Sequence, residues 1–387
     1  MGHKASAAFF LTISATAMAM TVSIAPQAQA QWQPASELPS APAPDASGPE
    51  SQGCPVFPDP TVRLDYGSRY EADSQDRSDL NAEADAAVTK ALEDADNFVR
   101  QLAELSNAAV INPDVAADNA GCVIDAVYAW ASAGAFSELD SANAEMTYPS
   151  RLGGIAAAYR QVMSLVPGRQ DEKQAIGAWL RTNASAMIRY WNDDAPPLAR
   201  VSNLRAWAAF AVTEVGLILD EPGFLDWSAD SQSQILDTQS DDGSLPVEMR
   251  RGKYALHYQL HALAPLTVSR LLLCQAGRMD SADHMARLRK GVEFALAGID
   301  DPASVEQITG DRQSLPRGLV NQQKFEIAFL EAYLSLFNDV PLDLSLRPLR
   351  PLSNSKLGGD LTMLYRFSKV SAADCASPDG LPDPAKR

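Results

Sequence analysis

Apolar residues recur every three to four positions through most of the chain. Val88, Leu92, Val99 and Leu102 form such a stripe within residues 81–105, and comparable stripes start at Cys122, Leu152, Ile176, Leu204, Glu248, Asp283 and Gln323. That spacing sets one side of a helix against a core, and no stretch keeps the period of two that a half-buried strand requires. The pattern breaks at Asn112-Pro113, at the Asp-Ala-Pro-Pro of residues 194–197 and at Asp242-Gly243, all residue types that favour turns. The expectation is an all-α chain of ordinary helices joined by short loops, in antiparallel hairpins that can curl into an incomplete α/α toroid. No short repeat of constant length is visible, which counts against a regular solenoid.

The two ends read differently from the middle. Lys4 is followed by an apolar run over residues 7–25 and by the small-x-small sequence Ala28-Gln29-Ala30. This predicts a signal peptide over residues 1–30, cleaved near Ala30, and a periplasmic or secreted product. Residues 31–54 are dense in Pro, Ala and Ser, and residues 371–387 in Pro and Asp, so both read as flexible: a leader and a C-terminal tail. Residues 55–370 remain for one large domain. Nothing after the signal peptide has the run of about 20 apolar residues that a membrane span needs, so no membrane insertion is expected.

Export permits disulfides, and the four cysteines allow three pairings. Cys54 with Cys122 is favoured, because the bridge would tie a loose end to the start of a helix. Cys274, inside the apolar run SRLLLCQAG, reads as a buried thiol.

The net charge is −17, and −18 once Lys4 is removed. Nucleic acid is thereby excluded as a partner, since its binding needs a dense basic footprint. A polyanionic ligand would need a local basic cleft that overrides the global field.

Three segments carry candidate chemistry. In DGSLPVEMRRGKYALHYQLHALAPL (residues 242–266), Pro246 suits a first helical turn and Glu248 complements its dipole, which predicts one helix running to about Leu263. From Arg251, residues Tyr254, Tyr258 and His261 then follow at i+3, i+7 and i+10, on one face. The plainer reading is a solvated polar face with Arg251 paired to an acid. In PLARVSNLRAWAAFAV (residues 197–212), Asn203 and Trp207 share a side as an amide and an indole fit for a sugar subsite; a capping Asn and a core Trp would give the same pattern. In LDYGSRYEADSQDRSDLN (residues 64–81), Arg69 and Tyr70 lie close together, and alone this segment would be a surface loop.

Together these segments resemble polysaccharide lyase family 5, the alginate (polymannuronate) lyases of bacterial exopolysaccharide systems, from about Pro55 to Ser368. The resemblance implies a basic substrate contact at Arg69, where lysine is usual, with Arg251 as carboxylate binder and Tyr258 as catalytic phenol. SNSKLGGDLTMLYRFS (residues 353–368) is similar to an Arg-Leu-Gly-Gly element with Lys356 in the arginine's place. The resemblance also implies an anionic polysaccharide as ligand, and the exopolysaccharide export machinery as a candidate partner. One departure stands out: the family reads Asn-Asn-His before a Trp three residues on, whereas Ser202-Asn203-Leu204 precedes Trp207 here.

Uronate lyases remove the proton at C5, alpha to a carboxylate, and expel the oxygen at C4. The carboxylate must be neutralised as enolate-like charge develops, a role open to Asn203 and Arg251, helped by Arg69 or Lys356. Proton and leaving oxygen share a side of the ring in mannuronate and glucuronate polymers, so Tyr258 could serve both steps, with cations lowering its pKa from about 10. His261, one turn on, could partly replace the missing imidazole. Tyr70, Trp207 and Tyr254 complete the expected sugar-binding set, and no cofactor or metal is invoked. Two rivals are a degenerate polymer-binding protein of the same fold and a hydrolase using two of Asp241, Asp242 and Glu248.

Overall fold

The computed structural model describes residues 53–368 and 370–377. The expected signal peptide, the leader up to residue 52 and the chain after residue 377 lie outside them. Helices α1 (Ala82–Ile111) and α2 (Ala116–Ser132) open the fold, and α3 (Ala142–Thr147), α4 (Pro149–Val162), α5 (Gln170–Arg189), α6 (Asn203–Leu219) and α7 (Pro222–Leu236) follow. The single turn α8 (Pro246–Met249) precedes α9 (Ala255–Gln275), α10 (Ala282–Asp300) and α11 (Ala303–Thr309). The fold closes with α12 (Lys324–Ile327), α13 (Leu330–Phe337), α14 (Val340–Leu346), α15 (Leu361–Tyr365) and α16 (Ala372–Cys375).

Local chemistry sets these limits. Asn81 caps α1 by accepting from the Ala84 N–H at 2.9 Å, and Glu83 and Asp85 favour the positive end of the dipole. Gly243, in the expected turn, has φ of 100°, and a Cβ there would run into the Lys290 carbonyl, so only glycine fits.

Helix α1 packs on α2 and α4, α4 on α6, α6 on α7 and α9, and α9 on α10 and α13. Helical hairpins curled in this sequence make an all-α, incomplete α/α toroid. The core falls into two apolar clusters, and α6 serves both: Ala206, Trp207 and Phe210 face the C-terminal cluster, Ala208, Ala211, Val212 and Val215 the N-terminal one. A helix apolar on more than one side, as α6 is apart from Arg205 and Glu214, suits such a shared wall. Its alanines let neighbours come close; at Gly153 of α4, even a Cβ would collide with the Phe210 ring.

Sheet is confined, among the described residues, to three two-residue pairs: Arg63–Leu64 with Glu138–Leu139, Asp280–Ser281 with Ala376–Ser377, and Ser353–Asn354 with Gly359–Asp360. None of the described helices is long and apolar enough to cross a membrane.

Two expectations need correction. Cys54 does pair with Cys122, but Cys274 is no free thiol: it is bonded to Cys375. An apolar setting suits either state, and the partner lay in a segment read as tail. Residues 371–377 of that segment are folded, with Ser371 and Asp374 forming a capping box on α16. Nor is 246–263 one helix. The chain leaves helical geometry after Met249, makes a 3-10 turn over Gly252–Tyr254, and only then enters α9, which continues through Pro265 to Gln275.

Candidate active site

The break before α9 is what shapes the site. Gly252 has φ of 53° and lies so close to the Asp76 carboxylate that a Cβ would collide with it. Residues 65–80 can therefore fold down onto the start of α9. Arg251 ties them there, donating from Nε to the Asp76 carbonyl at 3.1 Å and from Nη2 to the Arg77 carbonyl at 2.9 Å. Its guanidinium sits 3.6 Å from the centre of the Tyr258 ring and 5.2 Å from that of Tyr70, a cation stacked on two phenols. The two phenolic hydroxyls meet at 2.5 Å.

The structure thus brings Tyr70, Arg251 and Tyr258 together, although not by the one-face spacing expected. Tyr254 belongs to the 3-10 turn, with the Lys253 ammonium 5.5 Å over its ring. Cations were expected to lower the Tyr258 pKa. Burial instead pushes it well above the usual phenol value, aided by Tyr70, and the pull of Arg251 does not compensate.

One turn along α9, His261 meets α6. The Trp207 indole N–H donates to His261 Nε2 at 3.0 Å. Indole is a donor only, so Nε2 must be unprotonated and the ring proton must sit on Nδ1. Burial, followed by the charges of His257, Lys356, Arg151 and Arg251, holds the His261 pKa well below its usual value. His261 is a neutral, fixed ring. Trp207 is largely buried, and its indole N–H orients His261.

Asn203 is not the helix cap; Ser202 is, accepting from the Leu204 N–H at 3.2 Å. Asn203 binds Glu248, its backbone N–H donating to Oε1 at 2.7 Å and its Nδ2 to Oε2 at 2.8 Å. Leu204 packs against the N-terminal core cluster, which accounts for an apolar side chain where the related motif has an imidazole. Of the carboxylates a hydrolase could use, Glu248 is therefore occupied and Asp242 closes its own turn by accepting from Ser244.

Lys356 stands beside another basic residue, Arg151, that sequence reasoning missed. Arg151, on α4, forms a two-point pair with Asp96 on α1 at 3.0 and 2.9 Å, and Lys356 Nζ lies 3.2 Å from the same carboxylate. Burial, with the neighbouring charges of Arg151 and Arg69, brings the Lys356 pKa down to about 8 against the pull of Asp96. Arg69 is paired with Asp85 at 2.9 Å. One acid, Asp96, thus serves two cations, while Glu104 and Glu326 line the cavity beside them.

Beside this cluster opens a cavity of about 540 Å³, lined by Arg100, Trp207, His257, His261, Asn354 and Lys356 among others. His257 was also missed. Its Nδ1 lies 3.3 Å from Glu326 Oε1, and its ring is parallel to that of His261 at 6.1 Å. The other Glu326 oxygen accepts from the Gln323 backbone N–H at 3.1 Å, so this carboxylate is anchored. The i, i+4 relation of His257 and His261 was the available signal, hidden by counting the helix from Arg251.

The family model described as alginate lyase matches residues 18–305. Alginate lyase from Pseudomonas syringae pv. tomato is 28% identical over 330 residues, covering 82% of this chain and 84% of the relative. That from Cobetia marina is 27% identical over 326 residues, covering 82% and 85%. Among solved structures, alginate lyase A1-III from a Sphingomonas species superposes with a TM-score of 0.64 at 18% identity, covering 82% of this chain and 88% of that one, and so shares the fold. Two variants of that lyase, one with a histidine changed to alanine and one with a tyrosine changed to phenylalanine, are each complexed with a tetrasaccharide. With its fold and the family match spanning most of its length, the chain belongs to the alginate lyase family, polysaccharide lyase family 5, and is a polysaccharide lyase.

Proposed function

We propose that the protein cleaves an anionic uronate polymer, alginate or a glucuronate-containing exopolysaccharide, by β-elimination, with Tyr258 as the group that moves the proton. The observation carrying this reading is the Tyr258 phenol, whose ring is covered by Arg251 at 3.6 Å and whose hydroxyl meets that of Tyr70 at 2.5 Å. At neutral pH Tyr258 is the phenol, ready to protonate the leaving O4. The phenolate that takes the C5 proton is the minority form, stabilised by Arg251 and replenished as pH rises. Arg251 and Asn203 neutralise the sugar carboxylate, while Lys356, Arg69 and Arg151 supply the attraction that brings a polyanion to an acidic protein. His261, held by Trp207, keeps the wall of the site in place. The two disulfides are consistent with an extracytoplasmic protein, and we place it in the periplasm, beside the exopolysaccharide export machinery.

A screen of polymannuronate, polyguluronate and polyglucuronate for the absorbance of the unsaturated product tests the reading. At least one polymer, supplied at saturating concentration, should give signal that grows with pH through the neutral range, because the phenolate fraction grows about tenfold per pH unit below the tyrosine pKa. Leu204 favours a second reading, a polymer-binding protein of the same fold. If the wild type were inert on every polyuronate and Leu204→His created activity, that second reading would stand.

A further inference from the structure

Glu248 is a buried carboxylate for which the mechanism above has no use. It is 1% exposed, and both its oxygens accept from one residue, Asn203. Asn203 is 3% exposed, and its own Oδ1 is buried with no hydrogen-bond partner. An orphaned buried acceptor is unfavourable, and it arises here because the carboxylate takes the amide's N–H side. A protonated Glu248 would reverse the preference. Oε1 would still accept from the Asn203 backbone N–H, but Oε2–H would need an acceptor, and the nearest is Asn203 Oδ1 after a half-turn of an amide whose two ends have nearly the same shape. Both Nδ2 protons would then point where Oδ1 now points.

We propose that Glu248 is a positioning residue for substrate binding: it takes up a proton as a sugar carboxylate binds, turning the Asn203 amide so that its N–H groups face the anion. This rests on the assignment of Asn203 and Arg251 to the substrate carboxylate. Burial raises the Glu248 pKa to about 7 against the opposing pull of the Asn203 donors and Arg251, so the proton is available at neutral pH. Arg251, three residues on, is the charged group bearing on Glu248. From α6 comes the Asn203 amide, and among the described residues α9 and α11, also packed on α8, bring no charge that acts on it.

Titration calorimetry with a mannuronate tetrasaccharide, on the Tyr258→Phe background so that nothing turns over, provides the test. In buffers of different ionisation heat above about pH 7, binding should take up close to one proton per site, and the dissociation constant should rise about tenfold per pH unit. Adding Glu248→Gln should abolish both effects, because the Gln amide donates to Oδ1 as the protonated acid does while its carbonyl accepts from the Asn203 N–H. A brace that only held the fold would lose stability in this variant and leave the pH slope intact. If Glu248→Gln does not fold, Asn203→Ala must remove the proton uptake instead. Binding with a flat pH response in the Tyr258→Phe protein overturns this inference alone. No binding at any pH overturns the uronate reading together with it.

Discussion

The N-terminal end of α9 presents two sides that differ in almost every physical respect. On one, Tyr258 is covered by Arg251, joined to Tyr70 and roofed by residues 65–80. On the other, His257 and His261 face a cavity of about 540 Å³ with Trp207 and Lys356. The covered side holds a group whose ionisation burial opposes, with a permanent cation to resist that effect. The open side holds groups of the sort that recognise a ligand, each tied by a neighbour: His261 by Trp207, His257 by Glu326. On the function proposed above, chemistry and recognition are assigned to opposite sides of one helix.

Replacing Tyr258 with Phe attacks the covered side and should have the largest effect. The ring still packs under Arg251, but the ionisable oxygen is gone. Turnover should fall roughly 10²- to 10⁴-fold, while KM changes little and the rise of activity with pH disappears. If His257 were the base instead, the variant would keep most of its rate, and the assignment of chemistry to the covered side would be wrong.

On the open side, the two histidines should separate. His257→Gln removes the ring that Glu326 orients, and kcat/KM should drop about tenfold, mainly through KM, an effect near 1.4 kcal/mol. His261→Leu strands the buried Trp207 N–H and should cost about 1–3 kcal/mol of stability, read from the urea midpoint. A fall in kcat that exceeds the effect of His257→Gln, in a His261→Leu protein of unchanged stability, would give His261 the catalytic role that its fixed, neutral ring argues against.

The fold was legible because helical periodicity and turn residues act locally. The stripes beginning at Cys122, Leu152 and Asp283 fall within or beside observed helices, and Gly243 turns where its dipeptide predicted. Sequence failed where long-range contact overrides local preference. Residues 250–254 look helical in isolation, yet Gly252 has a positive φ that no continuous helix supplies, and Asp76 comes too close to it for a Cβ. Arg151 and Asp96 were invisible for a related reason: they stand 55 residues apart, and only the packing of α4 on α1 joins them. Asn203 was marked as a candidate amide, but nothing nearby in sequence points to Glu248, 45 residues on, as its partner.

Tyr70→Phe gives the smallest expected effect and the sharpest view of the covered side. Residues 65–80 should stay in place, since Arg251 holds the Asp76 and Arg77 carbonyls and Gly252 still admits the loop. Only the hydroxyl that meets Tyr258 is removed. Tyr70 raises the Tyr258 pKa, both as a neighbouring phenol and through the hydrogen bond, while Arg251 lowers it. With the first influence gone and the second kept, the phenolate should form at lower pH and the whole rate profile should shift toward acid. At a fixed neutral pH the change in rate should be a few-fold, on the order of 1 kcal/mol, from two opposed causes: more phenolate, and a weaker base within it. The pH profile separates them where a single rate cannot. A profile that did not move would mean that the Tyr70 hydroxyl does not set the ionisation of Tyr258, and that the pairing of the two phenols only anchors the loop.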